Sequence, residues 1–278
     1  MRRLLWLAVS MAVPLWPAVT SRVGAQAPQP SSSKIWIGRY AEFEEFLRTA
    51  PFQKRSESTP VGILAPRHMF FETGGLAKGA AVKKIPPGRR DGYFESYKSE
   101  IAAYKLDRLL QMDMVPPTVE RLVDGEKASV QLWVENTRML KEVEDKKLRS
   151  PDGAGWNRQW HRVEVFDDLV GNIDENKGNL LFDPVWNFVK IDHSRAFTDT
   201  MATPFDIEKT VKQIDRPFFD RLKELDQQTI RREIGDLLTE NGAMTSFFRR
   251  RDTIVKKFED LAKKQGDDKV FVPWPSTP

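Results

Sequence analysis

Asp174-Glu175-Asn176-Lys177-Gly178-Asn179, followed across a short apolar hairpin by Phe188-Val189-Lys190-Ile191-Asp192, is the stretch on which the reading of the fold turns. The loop from Gly171 to Asn179 is polar and rich in turn formers. Leu180 to Phe182 and Phe188 to Ile191 read as short strands around a turn at Asp183-Pro184. Asp174 and Asn179 lie five residues apart, and Asp192 follows Asp174 by eighteen. A short hairpin brings its strand ends together, so these three side chains are expected to converge. Two carboxylates and an amide oxygen are hard ligands, suited to Mg²⁺, which takes a few protein oxygens and completes its shell with phosphate oxygens and water. Asp-x-x-x-x-Asn alone is more often a capped turn; the second Asp, placed after an apolar strand, makes the pattern specific.

Working outward, the N-terminal half alternates short extended runs with one long helix. Tyr40 to Thr49 has Phe43, Phe46 and Leu47 on one side of an amphipathic helix. Arg67 to Glu72 and Gly79 to Ile85 flank Thr73-Gly74-Gly75 as a hairpin, which Pro86-Pro87-Gly88 ends. Phe94 to Met112 carries Tyr97, Ile101, Tyr104 and Leu109 as a helical stripe, stopped by Val115-Pro116-Pro117. Thr118 to Val123 and Ser129 to Val134 read as strands joined at Asp124-Gly125. The second half is mainly helical, with Asn157 to Val170 first and further helical patterns from Phe197 to about Lys264. No internal repeat is evident.

The bulk composition narrows the class. A chain of 278 residues, 40% hydrophobic and with 8 Trp and 17 Phe, can fill a sizeable core. No cysteine is present, which excludes disulfides, thiolate metal sites and cysteine nucleophiles. Three histidines (His68, His161 and His193) without paired spacing argue against zinc. Arg2 and Arg3, the apolar run Leu4 to Val19 and the small residues around Val23-Gly24-Ala25 form a secretory signal peptide pattern, with cleavage expected after Ala25. The apolar run is shorter than the ~20 residues of a spanning helix. Removing Arg2, Arg3 and Arg22 takes the formal charge from +4 to +1, no footprint for nucleic acid. Gln26 to Ser33 reads as a flexible Pro/Ser/Gln linker.

Asp174-x-x-x-x-Asn179, a hairpin and a strand ending in Asp192 resemble the catalytic core of the protein-kinase-like superfamily. Asn179-Leu180-Leu181 and Ile191-Asp192-His193-Ser194-Arg195-Ala196-Phe197 are most similar to its atypical branches: bacterial phosphatidylinositol 3-/4-kinase-like proteins, HipA-type kinases and the secretory-pathway kinases related to four-jointed. Gly178 also matches the Asp-x-x-x-Gly-Asn-Leu-Leu form of aminoglycoside phosphotransferases. Ala80-Ala81-Val82-Lys83 resembles the Val-Ala-Ile-Lys strand, and Glu100 lies mid-way along the next helix. The likeness covers roughly residues 53 to 200. It implies that Lys83, positioned by Glu100, holds the α- and β-phosphates of ATP. Asp174 orients the acceptor hydroxyl and takes its proton, while Asn179 and Asp192 hold Mg²⁺. Gln131 and Trp133, on the strand Gln131-Leu132-Trp133-Val134, hold the adenine at the hinge between lobes.

The sequence also departs from ordinary protein kinases. Ile173 stands where those enzymes have Arg, His193-Ser194 replaces Phe-Gly, no G-x-G-x-x-G precedes Lys83, and no Ala-Pro-Glu follows Asp192. Lys84 competes with Lys83 for the phosphate role, and Lys177 is a further cation in the loop. Trp156, Trp160 and Trp186 read as core residues, and Arg249-Arg250-Arg251 as a solvated helical face.

The expected fold is therefore α+β: a two-lobed protein-kinase-like fold with a small β-rich N-lobe carrying one long helix and a larger, mainly helical C-lobe. The expected divisions are a signal peptide at 1–25, a linker and short helix at 26–52, the N-lobe at 53–135 and the C-lobe at 136–278. The expected activity is that of a kinase: ATP- and Mg²⁺-dependent transfer of a phosphoryl group to a hydroxyl, on a protein Ser/Thr in preference to a small molecule or lipid head group. The expected location is secreted or periplasmic, with no nucleic-acid partner and no stable membrane insertion after cleavage. The alternative is a secreted pseudokinase acting as a binding or scaffold module.

Overall fold

The computed structural model describes residues 31–58 and 66–274. The signal peptide expected at 1–25 and most of the following linker lie outside the described residues. The N-terminal half runs α1 (Tyr40–Thr49), β1 (Phe52–Ser58), β2 (Arg67–Phe71), β3 (Gly79–Lys83), β4 (Gly88–Arg90), β5 (Tyr93–Glu95), α2 (Tyr97–Leu110), β6 (Thr118–Val123) and β7 (Glu126–Leu132). Five of these strands make an antiparallel sheet in the order β1-β2-β3-β7-β6. The β4–β5 pair is a separate hairpin between β3 and α2.

Strand alternation gives this sheet two unlike faces. Ala80, Val82, Val119, Val130 and Leu132 join Phe43 and Leu47 of α1 in one apolar cluster. Phe43 and Leu47 are four apart on one helical face and fully buried; each contributes about 1.5–3 kcal/mol by burial. The intervening residues Ala81 and Lys83 on β3 pair across with Gln131 and Ser129 on β7, on the opposite face. That face meets α2, whose Tyr97 hydroxyl donates to Glu120 at 2.8 Å. The β6–β7 turn lies at Asp124-Gly125, as the sequence predicts, with positive φ at both residues (52° and 81°). This suits the tight hairpin turn whose twist matches that of its strands.

Three boundaries move for physical reasons. The long helix begins at Tyr97, not Phe94, because Tyr93–Glu95 forms β5 and Ser96 caps the helix by accepting from Lys98 N at 3.0 Å. It ends where Gln111 turns left-handed (φ 51°). The strand placed at Ser129–Val134 starts at Glu126, because the tight turn lets pairing continue to Val123 opposite Glu126.

The second half runs β8 (Arg138–Met139), α3 (Leu140–Asp145), α4 (Gly153–Val170), β9 (Leu180–Phe182) and β10 (Phe188–Lys190). It continues with α5 (Ile207–Thr210), β11 (Ile214–Asp215), α6 (Arg216–Glu224), α7 (Gln227–Ile234), α8 (Ala243–Gln265), α9 (Asp267–Val270) and β12 (Phe271–Val272). Asp152 starts α4 before Asn157 by accepting from Gly155 N at 2.8 Å, and Gly171 ends it with φ 62°. Phe166 of α4 and Phe247 and Phe258 of α8 belong to the large core of this half. Trp156 stacks on Phe182 (4.6 Å between centroids, 17°), and Trp160 and Trp186 also pack against that core. Arg249-Arg250-Arg251 is not one solvated face: Arg250 is 2% exposed and donates to Leu169 O at 2.9 Å and Thr198 O at 3.3 Å. Helical phase decides this, because Phe247, Ile254 and Phe258 turn the same side of α8 into the core.

The expected flexible linker is corrected at its end. Ser32 Oγ and Ser33 N donate to Asp183 Oδ2 at 2.7 and 3.1 Å, and Lys34 Nζ donates to Asp113 O at 2.6 Å. Residues 32–40 thus run from the β9–β10 turn to α1, which covers the outer face of the sheet. Among the described residues no helix is long and apolar enough to cross a membrane.

Candidate active site

Lys83 closes β3 on the face turned to α2. Its Nζ lies 2.5 Å from Glu100 Oε1 and 2.6 Å from Asp192 Oδ1. Glu100, one turn into α2, is 2% exposed, and its second oxygen accepts from His193 N at 3.1 Å. One carboxylate therefore ties the helix to both the β3 lysine and the segment after β10. Burial alone would lower the Lys83 pKa, but Glu100 and Asp192 more than offset it and hold the ammonium charged. Burial likewise pushes Asp192 up, yet Lys83 and the Ser194 hydroxyl hold its carboxyl below the usual range. Asp192 adopts a left-handed backbone (φ 64°), as Asp91, Asp113 and Asp124 also do. His193 is fully buried, edge-on to Phe166 at 5.8 Å, and burial beside Lys190 and Lys83 keeps its ring neutral.

The Asp174–Asn179 loop is built by its own side chains. Asn179 Nδ2 and Asn176 Nδ2 both donate to Asp174 O at 3.2 Å, and Gly178 N donates to Asn176 Oδ1 at 2.9 Å. Ile191 N donates to Asn179 O at 3.0 Å, fixing the loop to the strand that delivers Asp192. The Asp174 carboxylate stays 45% exposed and meets Arg195 Nη1 at 3.3 Å. Burial raises its pKa, and Arg195 opposes that rise.

The structure thus brings Lys83, Glu100 and Asp192 into direct contact and sets Asp174 and Asn179 beside them. It separates Lys83 from Lys84, whose Nζ lies 3.0 Å from Asp124 and 3.2 Å from Glu126 at the exposed β6–β7 turn. Lys177 pairs with Glu144 at 2.6 Å, away from this cluster. Gln131 pairs with Ala81 across the β3–β7 ladder, on the sheet face that carries Lys83. It is 7% exposed, and its side-chain amide donates one hydrogen bond to Thr118 Oγ1 at 2.9 Å within the sheet. Trp133 stacks on His68 with centroids 3.8 Å apart at 12°. His68 pairs with Ala81 across the β2–β3 ladder, so it shares the Lys83 face. Sequence reasoning gave His68 no role, because its partner is sixty-five residues away.

A second buried group was also missed. Lys190, two residues before Asp192, is fully buried between Asp167 at 2.8 Å and Glu175 at 2.6 Å. Its only sequence signal is a lysine inside an apolar strand. A cavity of about 470 Å³ lies in the helical half, lined by Asp168, Phe205, Arg250 and Thr253 among others, and holds none of the cluster residues.

Among the described residues, no three or more His, Cys, Asp or Glu side chains gather as a metal cage. The donors at hand are Asp192, with one oxygen engaged by Lys83 and Ser194, and the Asn179 amide. Such a sparse oxygen set fits a Mg²⁺ ion that keeps waters and substrate phosphate oxygens, and does not fit zinc or an all-protein calcium cage.

No family model matches this chain, and no curated protein matches it significantly. Solved structures do. A Golgi casein kinase with Mn and ADP bound superposes with a TM-score of 0.59 at 14% identity, covering 84% of this chain and 78% of that one. Fam20 of hydra, solved with sugar, gives 0.62 at 13% identity over 84% of this chain and 92% of its own. The proinflammatory kinase CtkA of Helicobacter pylori gives 0.56 at 12% identity over 79% and 98%.

Proposed function

From a chain with the α+β fold of the atypical protein-kinase-like superfamily, we propose an ATP- and Mg²⁺-dependent phosphotransferase acting on a hydroxyl. The observation that carries this reading is the buried contact of Lys83 with both Glu100 and Asp192. It joins the sheet, the helix and the hairpin strand at one point. A merely structural cation there would need no exposed partner, yet Asp192 keeps a third of its side chain open.

In this reading Lys83 holds the α- and β-phosphates, and Glu100 keeps its ammonium aimed into the cleft. Asp192 and Asn179 would hold Mg²⁺, which would neutralise phosphate charge. The acceptor oxygen attacks the γ-phosphorus as the bond from that phosphorus to the β–γ bridging oxygen breaks. ADP leaves with the bond electrons, and the acceptor proton passes to the Asp174 carboxylate. Positioning and charge neutralisation supply most of the rate in such a transfer. Trp133 and His68 border the hinge where the base is held. The neighbour solved with Mn and ADP supports a nucleotide and a divalent cation. The name casein kinase supports a protein hydroxyl as the acceptor. With the leader read at residues 1–25, the reaction runs outside the cytoplasm.

The test is label transfer from γ-labelled ATP, with Mg²⁺, to the chain itself and to casein, beside Asp174→Ala and Asp192→Ala. Transfer that needs both carboxylates is the expected result. No transfer, together with no rise in melting temperature on adding Mg-ATP, would leave a kinase-shaped binding module.

A further inference from the structure

We propose that Arg195 is a positioning residue that aims the Asp174 carboxylate and makes that aim depend on the seating of the β4–β5 hairpin. The inference rests on the phosphotransferase reading and deepens it. Arg195 lies three residues beyond Asp192 and is 9% exposed. Its Nε and Nη2 both lie 2.7 Å from Glu95 Oε1. Its guanidinium carbon stands 4.4 Å from the centre of the Tyr93 ring. Both partners belong to β5, and Ser96 N, directly after it, donates to Ser194 O at 2.9 Å. The hairpin therefore grips Arg195 through charge, ring face and backbone.

A guanidinium is a rigid plane, so fixing two nitrogens fixes the third. The third, Nη1, is 3.3 Å from Asp174 Oδ2. This is the one ion pair Asp174 makes among the described residues. The Asp174 carbonyl is held by Asn176 and Asn179, so the loop backbone is set while the carboxylate can still rotate. The preceding residue, Ile173, brings no charge of its own. At its other end the hairpin reaches the helical half through Arg89 and Glu240, and Glu240 also accepts from Asp199 N at 2.8 Å. A shift of the hairpin thus reaches Asp174 through Glu95 and Arg195.

The experiment compares the full chain with Arg195→Ala, Arg195→Lys and Glu95→Gln. Casein serves as the hydroxyl probe, and kcat and the KM for Mg-ATP are measured separately. Misaiming a reacting group by an ångström costs about 10²-fold. Arg195→Ala should lose kcat on that scale with the KM for Mg-ATP unchanged. Arg195→Lys should fall between, because one ammonium cannot hold both carboxylates, and Glu95→Gln should move in the same direction. Wild-type kcat in Arg195→Ala, or kcat and Mg-ATP affinity falling together, would overturn the proposal. Hydrogen exchange reads the coupling without turnover: Arg195→Lys and Glu95→Gln should speed exchange in β5 and also in residues 174–179. Faster exchange in the hairpin alone would equally overturn it. A wild-type chain that neither binds Mg-ATP nor transfers label would defeat the phosphotransferase reading, while the exchange result would still decide whether Arg195 couples hairpin and loop.

Discussion

Lys83 and Lys190 are each held between two carboxylates, at 2.5 and 2.6 Å in the first case and 2.8 and 2.6 Å in the second. Around Lys190 every member is sealed, with side-chain exposures of 0% for the lysine and 0% and 9% for Asp167 and Glu175. Around Lys83 the lysine and Glu100 are nearly closed off, but Asp192 is 33% exposed. The same pairing chemistry thus packs one region and leaves the other open to a ligand. Burial raises Glu100 and Asp167 alike, and the more exposed acid of each pair makes the difference. Burial pushes Glu175 up to about 7 despite Lys190, whereas Lys83 holds Asp192 below the ordinary carboxylate range. Asp192 is therefore ionised at neutral pH, the charge state that its proposed role toward a cation requires.

The strongest way to break this comparison is to remove each lysine. Lys190→Met strands Asp167 in the core and should cost about 3–5 kcal/mol of unfolding free energy in a denaturant titration. Lys83→Met should lower phosphoryl transfer by about 10²–10³-fold, as loss of one preorganised charge contact does. Its loss of stability should be smaller than that of Lys190→Met, because it leaves one carboxylate buried, Glu100, which keeps the His193 N–H, while water reaches Asp192; Lys190→Met leaves both Asp167 and Glu175 buried. Equal destabilisation by the two variants would erase the distinction between a packed and an open cluster.

Chelation sharpens it next. Mg-ATP at about 100 times its Kd should stabilise the wild type by about 2.7 kcal/mol. EDTA should abolish the matching rise in melting temperature, and Asp192→Ala should lack it from the start.

A buried acid without a lysine supplies a control. Burial pushes Asp168 up to about 7, moderated by the Phe205 N–H, and it makes no ion pair among the described residues. Between about pH 3.9, where an unfolded aspartate ionises, and about 7, the folded state keeps a proton that the unfolded chain has released. Stability from this group is full below that window and is lost as pH rises through it. Asp168→Asn should flatten the fall in melting temperature from pH 4 to 7. The smallest effect belongs to Lys84→Ala, where loss of exposed pairs should change stability by at most about 1 kcal/mol and leave transfer untouched.

The elements that were legible in advance are those whose signals are local. Phe43 and Leu47 predict α1, Asp124-Gly125 predicts its turn, and the apolar runs around Asp183-Pro184 predict β9 and β10. Phe94 and Glu95 of β5 read as the start of α2, because Phe94 and Tyr97 continue an apolar pattern and only the Ser96 cap divides strand from helix. The parallel β11–β12 pair was invisible, since each strand has two residues and their partners lie fifty-seven positions apart.

By itself, the sequence determined the order of the sheet-forming and helical halves, the loop that presents Asp174 and Asn179, and the strand that ends at Asp192. Each depends on side-chain periodicity or turn chemistry within about twenty residues of chain, which physics reads locally. Only the tertiary structure set Lys83 against Glu100 and Lys84 against Asp124, because adjacent strand residues point to opposite faces and just one face meets α2. It alone joined Gln131 to Thr118, sealed Lys190, and joined Arg195 to Glu95 and Asp174. Such contacts form when collapse brings distant segments together, and no local pattern encodes which charge will find which partner.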